Sequence, residues 1–341
     1  MRSAAVMGNR TRFAVLAGVF LLVFFGSFLL GRYPVSPMTL VKLLLSRVVE
    51  LPRTWDAGAE VSVLQIRLPR VTAAALIGAA LSAAGAAYQG LFRNCMVSPD
   101  ILGASSGAGF GAALAIWFGA GYFTISLGAF GAGLLAVMLA YALGRASPIG
   151  STLSMVLSGM MVSSLFTAAT SFLKLIADTD EVLPAITYWL MGSLSSLRPG
   201  SVPLLAVPVL LGLGVLLCLR WRLNLLTVSD EETESMGVNL RGLRAVVIVC
   251  ATLMTAASVA VGGLIGWVGL VIPHFSRMIF GCDYRKLLPA CALMGAAFLI
   301  VVDDAARLIA TSELPIGILT AFVGAPVFAW LILTGGAGRE H

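Results

Sequence analysis

The sequence predicts an all-α, polytopic membrane protein with about ten transmembrane helices and both termini in the cytoplasm. Two observations carry the class. Hydrophobic residues make up 59% of the 341-residue chain and charged residues 11%, whereas a soluble domain carries about 25% charged residues. The apolar residues are also gathered into runs, several of them near the ~20 residues that a spanning helix needs. A third observation, the placement of Lys and Arg, sets the orientation.

The first run, residues 13–31, is longer than the ~7–15 residues of a signal-peptide core and lacks a small-x-small cleavage site, so it reads as a retained span. Further runs follow at 71–91, 101–118, 123–143, 153–173, 202–219, 245–261, 264–279, 287–302 and 316–333. Together they predict a single transmembrane domain over 1–341. Small residues four apart, Gly78/Ser82, Gly107/Gly111 and Gly262/Gly266, are expected where helix backbones approach closely.

Placing Arg2, Arg10 and Arg12 in the cytoplasm also puts Arg93, Arg145, Arg220, Arg222, Arg241, Arg244, Arg277, Arg285, Lys286 and Arg339 there. The outer set is Arg32, Lys42, Arg47, Arg53, Arg67, Arg70, Lys174, Arg198 and Arg307. This outer excess is either balanced by Glu50, Asp56 and Glu60 or meets an acidic soluble partner.

One charge-dense island, residues 223–244, interrupts the apolar pattern. Ser229 followed by Glu232 forms a capping box, Asp230 and Glu231 suit a positive helix start, and Gly237 suits a left-handed stop. A short acidic helix from Asp230 to Met236 is predicted on the cytoplasmic side. It is either a solvated connector or a lever pushed by a motor subunit.

Absences bear on the energy source. The only lysines are Lys42, Lys174 and Lys286, and no GxxxxGK[ST] loop exists, so this chain does not bind ATP by that route. Span centres carry no Asp or Glu, which argues against a proton-coupled carrier. Asp303 and Asp304 close the ninth run, where Asp303 can pair with Arg307 one turn on. The five cysteines show no metal-ligand spacing. Gly103-Ala-Ser105-Ser-Gly107 matches G-x-S-x-G, and His274 offers a base, so an intramembrane serine protease is the enzyme alternative. A self-contained carrier or channel is the other.

Gln65–Gly111, with its Arg67-Leu-Pro-Arg70, resembles the first signature of the FecCD family, the permeases of ABC importers for iron-siderophore, haem and cobalamin. Gly262–Pro289, then Asp303, Arg307, Glu313-Leu-Pro-Ile-Gly317 and Gly324-Ala-Pro-Val-Phe328, resembles the second. The resemblance implies a permease of a type II importer in a prokaryotic cell membrane. A second copy, two ABC ATPases and a substrate-binding protein are its partners, with no nucleic acid. It implies no cofactor in this chain, ATP and Mg being held by the ATPase. The cargo is a metal chelate, an iron(III)-siderophore first, with haem or cobalamin as alternatives.

By position in the motifs, Arg67, Arg70 and Arg307 match arginines that dock the binding protein, and Ser229, Glu231, Glu232, Met236 and Gly237 fall in the ATPase-coupling segment. Asn94, Met96, Ser151 and Thr152 fall in the cytoplasmic gate. Arg93-Asn-Cys95-Met96 departs from the family's Arg-Asn-Pro-Leu and loses a stiffening proline. Ser158, Met160, Met161, Ser163, Ser164 and Thr167 are candidates for the pathway lining, because Met is pliable and hydroxyls accept varied ligands; the alternative is packing on neighbouring helices. His274 is expected to be structural. Gln89 either lines the path or bonds another helix.

Overall fold

The computed structural model describes residues 8–31, 33–46, 49, 52–147, 151–310 and 313–333. Among them every regular element is helical: α1 (Asn9–Ser27), α2 (Pro37–Leu45), α3 (Ala57–Glu60), α4 (Leu68–Leu91), α5 (Ala104–Trp117), α6 (Tyr122–Ala146), α7 (Ser151–Ile176), α8 (Val182–Leu190), α9 (Val202–Leu223), α10 (Asp230–Ser235), α11 (Leu240–Gly262), α12 (Val268–Phe280), α13 (Tyr284–Leu308) and α14 (Ile316–Leu333). Arg2, Arg32, Arg47, Glu50 and Arg339, used above for orientation, lie outside the described residues.

Among the described residues, seven helical stretches are long and apolar enough to cross a membrane: α1, α3 continued into α4, α6, α7, α9, α11 and α13. The runs at 101–118 and 264–279 yield only α5, of 14 residues, and α12, of 13. At 1.5 Å per residue each is about 20 Å long, short of a ~30 Å hydrocarbon core. The first residues of both runs are apolar but not helical. Gly103 has φ +86° and Trp267 has φ +69° at the two helix starts, and hydropathy does not distinguish such turns from helix. Two short helices, α2 and α8, were not expected; α8 is apolar but has only nine residues.

The helix α4 is the axle of the bundle. It packs on α13, α11, α12 and α9 and is buried along most of its length. A π-helical turn, Val61–Arg67, joins α3 to α4 just before Pro69. Proline cannot donate to the preceding turn and clashes with its carbonyl, so a widened turn there relieves the conflict.

Small residues let neighbours close on α4, with Gly78 against the carbonyl of Gly295 and Ser82 donating to the Cys291 carbonyl at 2.6 Å. Gly107 and Gly111 meet the Ala132 and Gly128 carbonyls of α6. The third pair departs from expectation: α11 ends at Gly262, and Gly266 lies beyond it, where a Cβ would meet nothing within 4 Å.

Two ends of the bundle can be told apart by side-chain bonds. At one, Arg12 of α1 donates to the Ile279 carbonyl of α12 at 2.5 Å, and Asn224, leading into α10, donates to Asp283 at 3.0 Å. At the other, Ser27 closing α1 donates to Asp304 at 2.6 Å. Between them, α1, α6, α7, α9 and α14 present Leu22, Met138, Leu165, Leu211 and Phe322, all more than half exposed. Exposed apolar belts of this extent belong against lipid or another apolar partner. The chain is a multi-pass membrane protein.

Candidate functional site

The acidic island folds as its caps predict. Ser229 Oγ accepts the Glu232 N–H at 3.3 Å, and Gly237 has φ +73° just beyond the helix. Thr233 anchors the underside of α10: it is fully buried, and its hydroxyl donates to the Leu225 and Ser229 carbonyls at 3.0 and 2.9 Å. Ser229, Glu231, Glu232, Met236 and Gly237 are left exposed on the outer side.

Asp230 does more than favour the helix start. Its carboxylate accepts bonds from Arg93 at 2.5 Å and from Arg244 at 2.8 and 2.9 Å, tying α10 to the end of α4 and to α11. Desolvation pushes this carboxyl up, but the hydrogen bonds from Arg244 and Arg93 outweigh it and hold it below the usual aspartate range. The pairing is therefore present at neutral pH and is lost only as pH falls through that depressed value.

The loop expected to form the gate follows directly. Asn94 Oδ1 accepts the Met96 N–H at 2.8 Å, a side-chain turn that braces the segment where Cys95 stands in place of proline. Asn94, Met96 and Thr152 are exposed. Ser151 opens α7, and its side chain lies outside the described residues. Substituting Asn94 with alanine removes this brace and is expected to cost about 1 kcal/mol of local order, read as faster amide exchange at Met96. Unchanged exchange there would refute the brace.

Gln89 bonds other elements. Its Oε1 accepts from Arg277 at 2.6 Å, and its amide donates to the Val97 carbonyl at 3.2 Å. His274 is buried in α12, one turn before Arg277.

A cavity of about 390 Å³ lies between α5, α7 and the start of α12. Its wall carries the hydroxyls of Ser105, Ser106, Thr167, Thr170, Ser171 and Thr255 together with Asp100 and Lys174. Asp100, absent from the expectations, caps α5 by accepting the Ser105 N–H at 2.7 Å. Ser105 thus sits on the first turn of a helix that follows a coil, not on the strand-turn-helix elbow that a serine nucleophile requires.

On α7, Met160 and Met161 are 59% and 56% exposed, and Ser164 and Thr167 share the open side with Leu165 and Phe172. Ser158 falls on the packed side of the helix, the alternative left open for these residues. It is buried in line with Val162, Phe166 and Thr170, the inward stripe of the helix. Ser163 is half-buried, close against Gly103.

Arg67, Arg70 and Arg307, expected to dock the binding protein, each hold partners within this chain. All three are buried, at 3%, 5% and 9% exposure. Arg67 donates to the Phe28 carbonyl at 2.5 Å and to the Tyr33 carbonyl. Arg70 holds Asp303 at 3.0 Å through Nε and Glu313 at 2.9–3.0 Å through Nη1. Arg307 reaches Asp303 at 3.3 Å, as its spacing predicts, and also pairs with Asp304 and Ser27. Buried guanidiniums need partners, and long-range pairs invisible to local pattern supply them.

A helical bundle with exposed apolar belts, a hydroxyl-lined cavity and an exposed, ion-paired acidic helix is the architecture of a multi-pass membrane protein, and comparison with known proteins gives its class, a transport permease. The chain belongs to the FecCD transport family, whose profile matches residues 19–334. It is 41% identical over 306 residues to the molybdate import system permease protein MolB of Haemophilus influenzae, covering 89% of each chain. It is 42% identical to the "Probable iron chelatin transport system permease protein" of Helicobacter pylori strain 26695, covering 81% of this chain and 83% of that one. Among solved structures, it resembles one described as "An inward-facing conformation of a putative metal-chelate type ABC transporter", with a TM-score of 0.85 and 37% identity, covering 95% of this chain and 99% of the other.

Proposed function

We propose that this chain is the permease subunit of an ABC importer in a prokaryotic cell membrane, moving a metal chelate, first an iron(III)-siderophore, by alternating access. About ten apolar helices, with α5 and α12 crossing only part of the core, lie in the bilayer with both termini cytoplasmic. A second copy of the chain completes the pathway, and two ATPase subunits, which hold ATP and Mg, seat against α10. A substrate-binding protein delivers cargo at the opposite end. Haem and cobalamin are the alternative cargoes, and 1–341 acts as one transmembrane domain without a cofactor of its own.

The observation that carries this reading is an anchored, capped acidic helix with an exposed outer side in a chain that has no phosphate-binding loop. A rigid helix fixed to α4 and α11 can pass a push from a soluble motor into the bundle. The wall offered by α7 supports the chelate reading. Met160, Met161 and Phe172 are exposed there, which suits a bulky ligand with an apolar periphery. Arg67, Arg70 and Arg307 serve the binding protein by holding that end rigid, with their carboxylate partners exchanged or shared on docking.

Proteoliposomes test this. Radio-iron siderophore uptake is expected only when the cognate ATPase, binding protein and ATP are all supplied. Uptake by the chain alone on a proton or sodium gradient would overturn the reading. Competition by haem, cobalamin and molybdate ranks the cargo. Replacing Glu231 and Glu232 together with glutamine is expected to lower uptake at least about fivefold while the binding protein still docks; unchanged uptake would remove α10 from the coupling path.

A further inference from the structure

We propose that Asp230 is a positioning residue that transmits displacement of α10 to the gate loop through Arg93, with Arg244 as the fixed anchor. This rests on the reading of α10 as the ATPase seat. The geometry has three parts. One carboxylate oxygen, Oδ1, is shared by Arg93 at 2.5 Å and Arg244 at 2.8 Å, so α10, the loop after α4 and α11 meet at a single atom.

Arg93 also donates through Nε to the Leu226 carbonyl at 2.9 Å and through Nη2 to the Val228 carbonyl. Its guanidinium therefore grips the chain leading into α10 as well as α10 itself. Arg93 is also one of two non-glycine residues with positive φ among the described residues, at +50°. It is the left-handed stop of α4, closed by the Asn94 N–H on the Gln89 carbonyl at 3.0 Å. The side-chain bonds to Leu226, Val228 and Asp230 tie that turn to α10, and the residue lies immediately before Asn94 and Met96.

The lead-in to α10 is itself fixed to the bundle. Asn224 donates to Asp283 at 3.0 Å and accepts the Tyr284 N–H at 2.9 Å, holding the end of α9 to the start of α13. A push on the outer side of α10 is then passed through Asp230 to the Arg93 turn, whose movement carries Asn94 and Met96. A merely structural ion pair would behave differently. The Arg93 and Asp230 side chains are 39% and 44% exposed, and exposed pairs contribute only ~0–1 kcal/mol to stability. Loss of the contact should thus spare the fold and affect transmission.

The test uses the complete transporter in proteoliposomes, with permease, ATPase and binding protein, measuring uptake per ATP hydrolysed alongside co-purification and melting temperature. Asp230→Asn and Arg93→Gln are each expected to lower uptake per ATP at least about fivefold, with the double variant no worse than either single one. Asp230→Glu, which keeps the charge, should recover part of the loss. An unchanged ratio, additive losses in the double variant, or loss of ATPase co-purification in place of uncoupling would each overturn the proposal. If the wild-type transporter itself shows no ATP-dependent uptake, or cysteine at Met236 forms no crosslink to the ATPase, the seat assigned to α10 fails instead, and this proposal with it.

Discussion

Replacing Arg70 with alanine is expected to destabilise the folded chain by about 3–5 kcal/mol, the cost of leaving a buried charge without its partner. Asp303 is 1% exposed and takes two bonds from Arg70 Nε, while Glu313 takes two more from Nη1. Asp304 follows directly in sequence, is also buried and already pairs with Arg307, so Asp303 would keep only a cation that it shares. Melting of the detergent-purified chain is the measurement. Arg70→Lys should fall between wild type and alanine, since an ammonium cannot hold both carboxylates with the planar fork of a guanidinium. Asp303→Asn in the Arg70→Ala background should recover much of the loss by removing the stranded charge. A wild-type melting temperature for Arg70→Ala, with weakened capture of the binding protein, would reverse the assignment and make the residue a docking arginine first.

The same residues show what local sequence could and could not reveal. Arg307 and Asp303 lie one helical turn apart, so their pairing follows from spacing, and the structure has it at 3.3 Å. Arg70 and Asp303 are 233 positions apart, and nothing in either neighbourhood announces the other. Both arginines therefore read as charges of one membrane face, and their burial against carboxylates far along the chain does not show in the sequence. On α10 the caps at Ser229 and Gly237 were legible because capping is a local, short-range chemistry. The bond from Asp230 to Arg93 was not, and an acidic first-turn residue has an ordinary dipole explanation that conceals it. Long apolar runs gave helices close to their expected limits at α6, α9 and α14, yet α5 and α12 came out short. Apolar turns at Gly103 and Trp267 satisfy a hydropathy window as well as helix does. Trp267 is held by its ring against Phe328 of α14, with centroids 6.2 Å apart, and only tertiary packing can select that backbone.

Gly85→Leu is expected to abolish the native packing of α4, and Gly85→Ala to cost about 1–3 kcal/mol by overpacking. A Cβ at Gly85 would lie 1.9 Å from the Gly269 carbonyl oxygen, and one at Gly78 would lie 2.1 Å from that of Gly295. Both distances are far inside van der Waals contact with backbone, which no side-chain rotation can relieve. In lipid no hydrophobic force drives helix to helix, so close packing must supply the association, and a wedge at the crossing removes it. Gly131 on α6 provides the control, because a Cβ there meets nothing within 4 Å. Gly131→Ala should leave the fold intact or stabilise it by about 0.5–1 kcal/mol, the helix propensity gained. Thermal melting of the three variants in one detergent decides the matter, and equal melting of Gly85→Ala and Gly131→Ala would refute the crossing. The effect should extend to transport. Gly269 lies in the first turn of α12 and, with Trp267, lines the hydroxyl-rich cavity. Spreading α4 from α12 displaces that wall, so Gly85→Ala is expected to lower uptake in the assembled transporter more than its loss of folded protein accounts for.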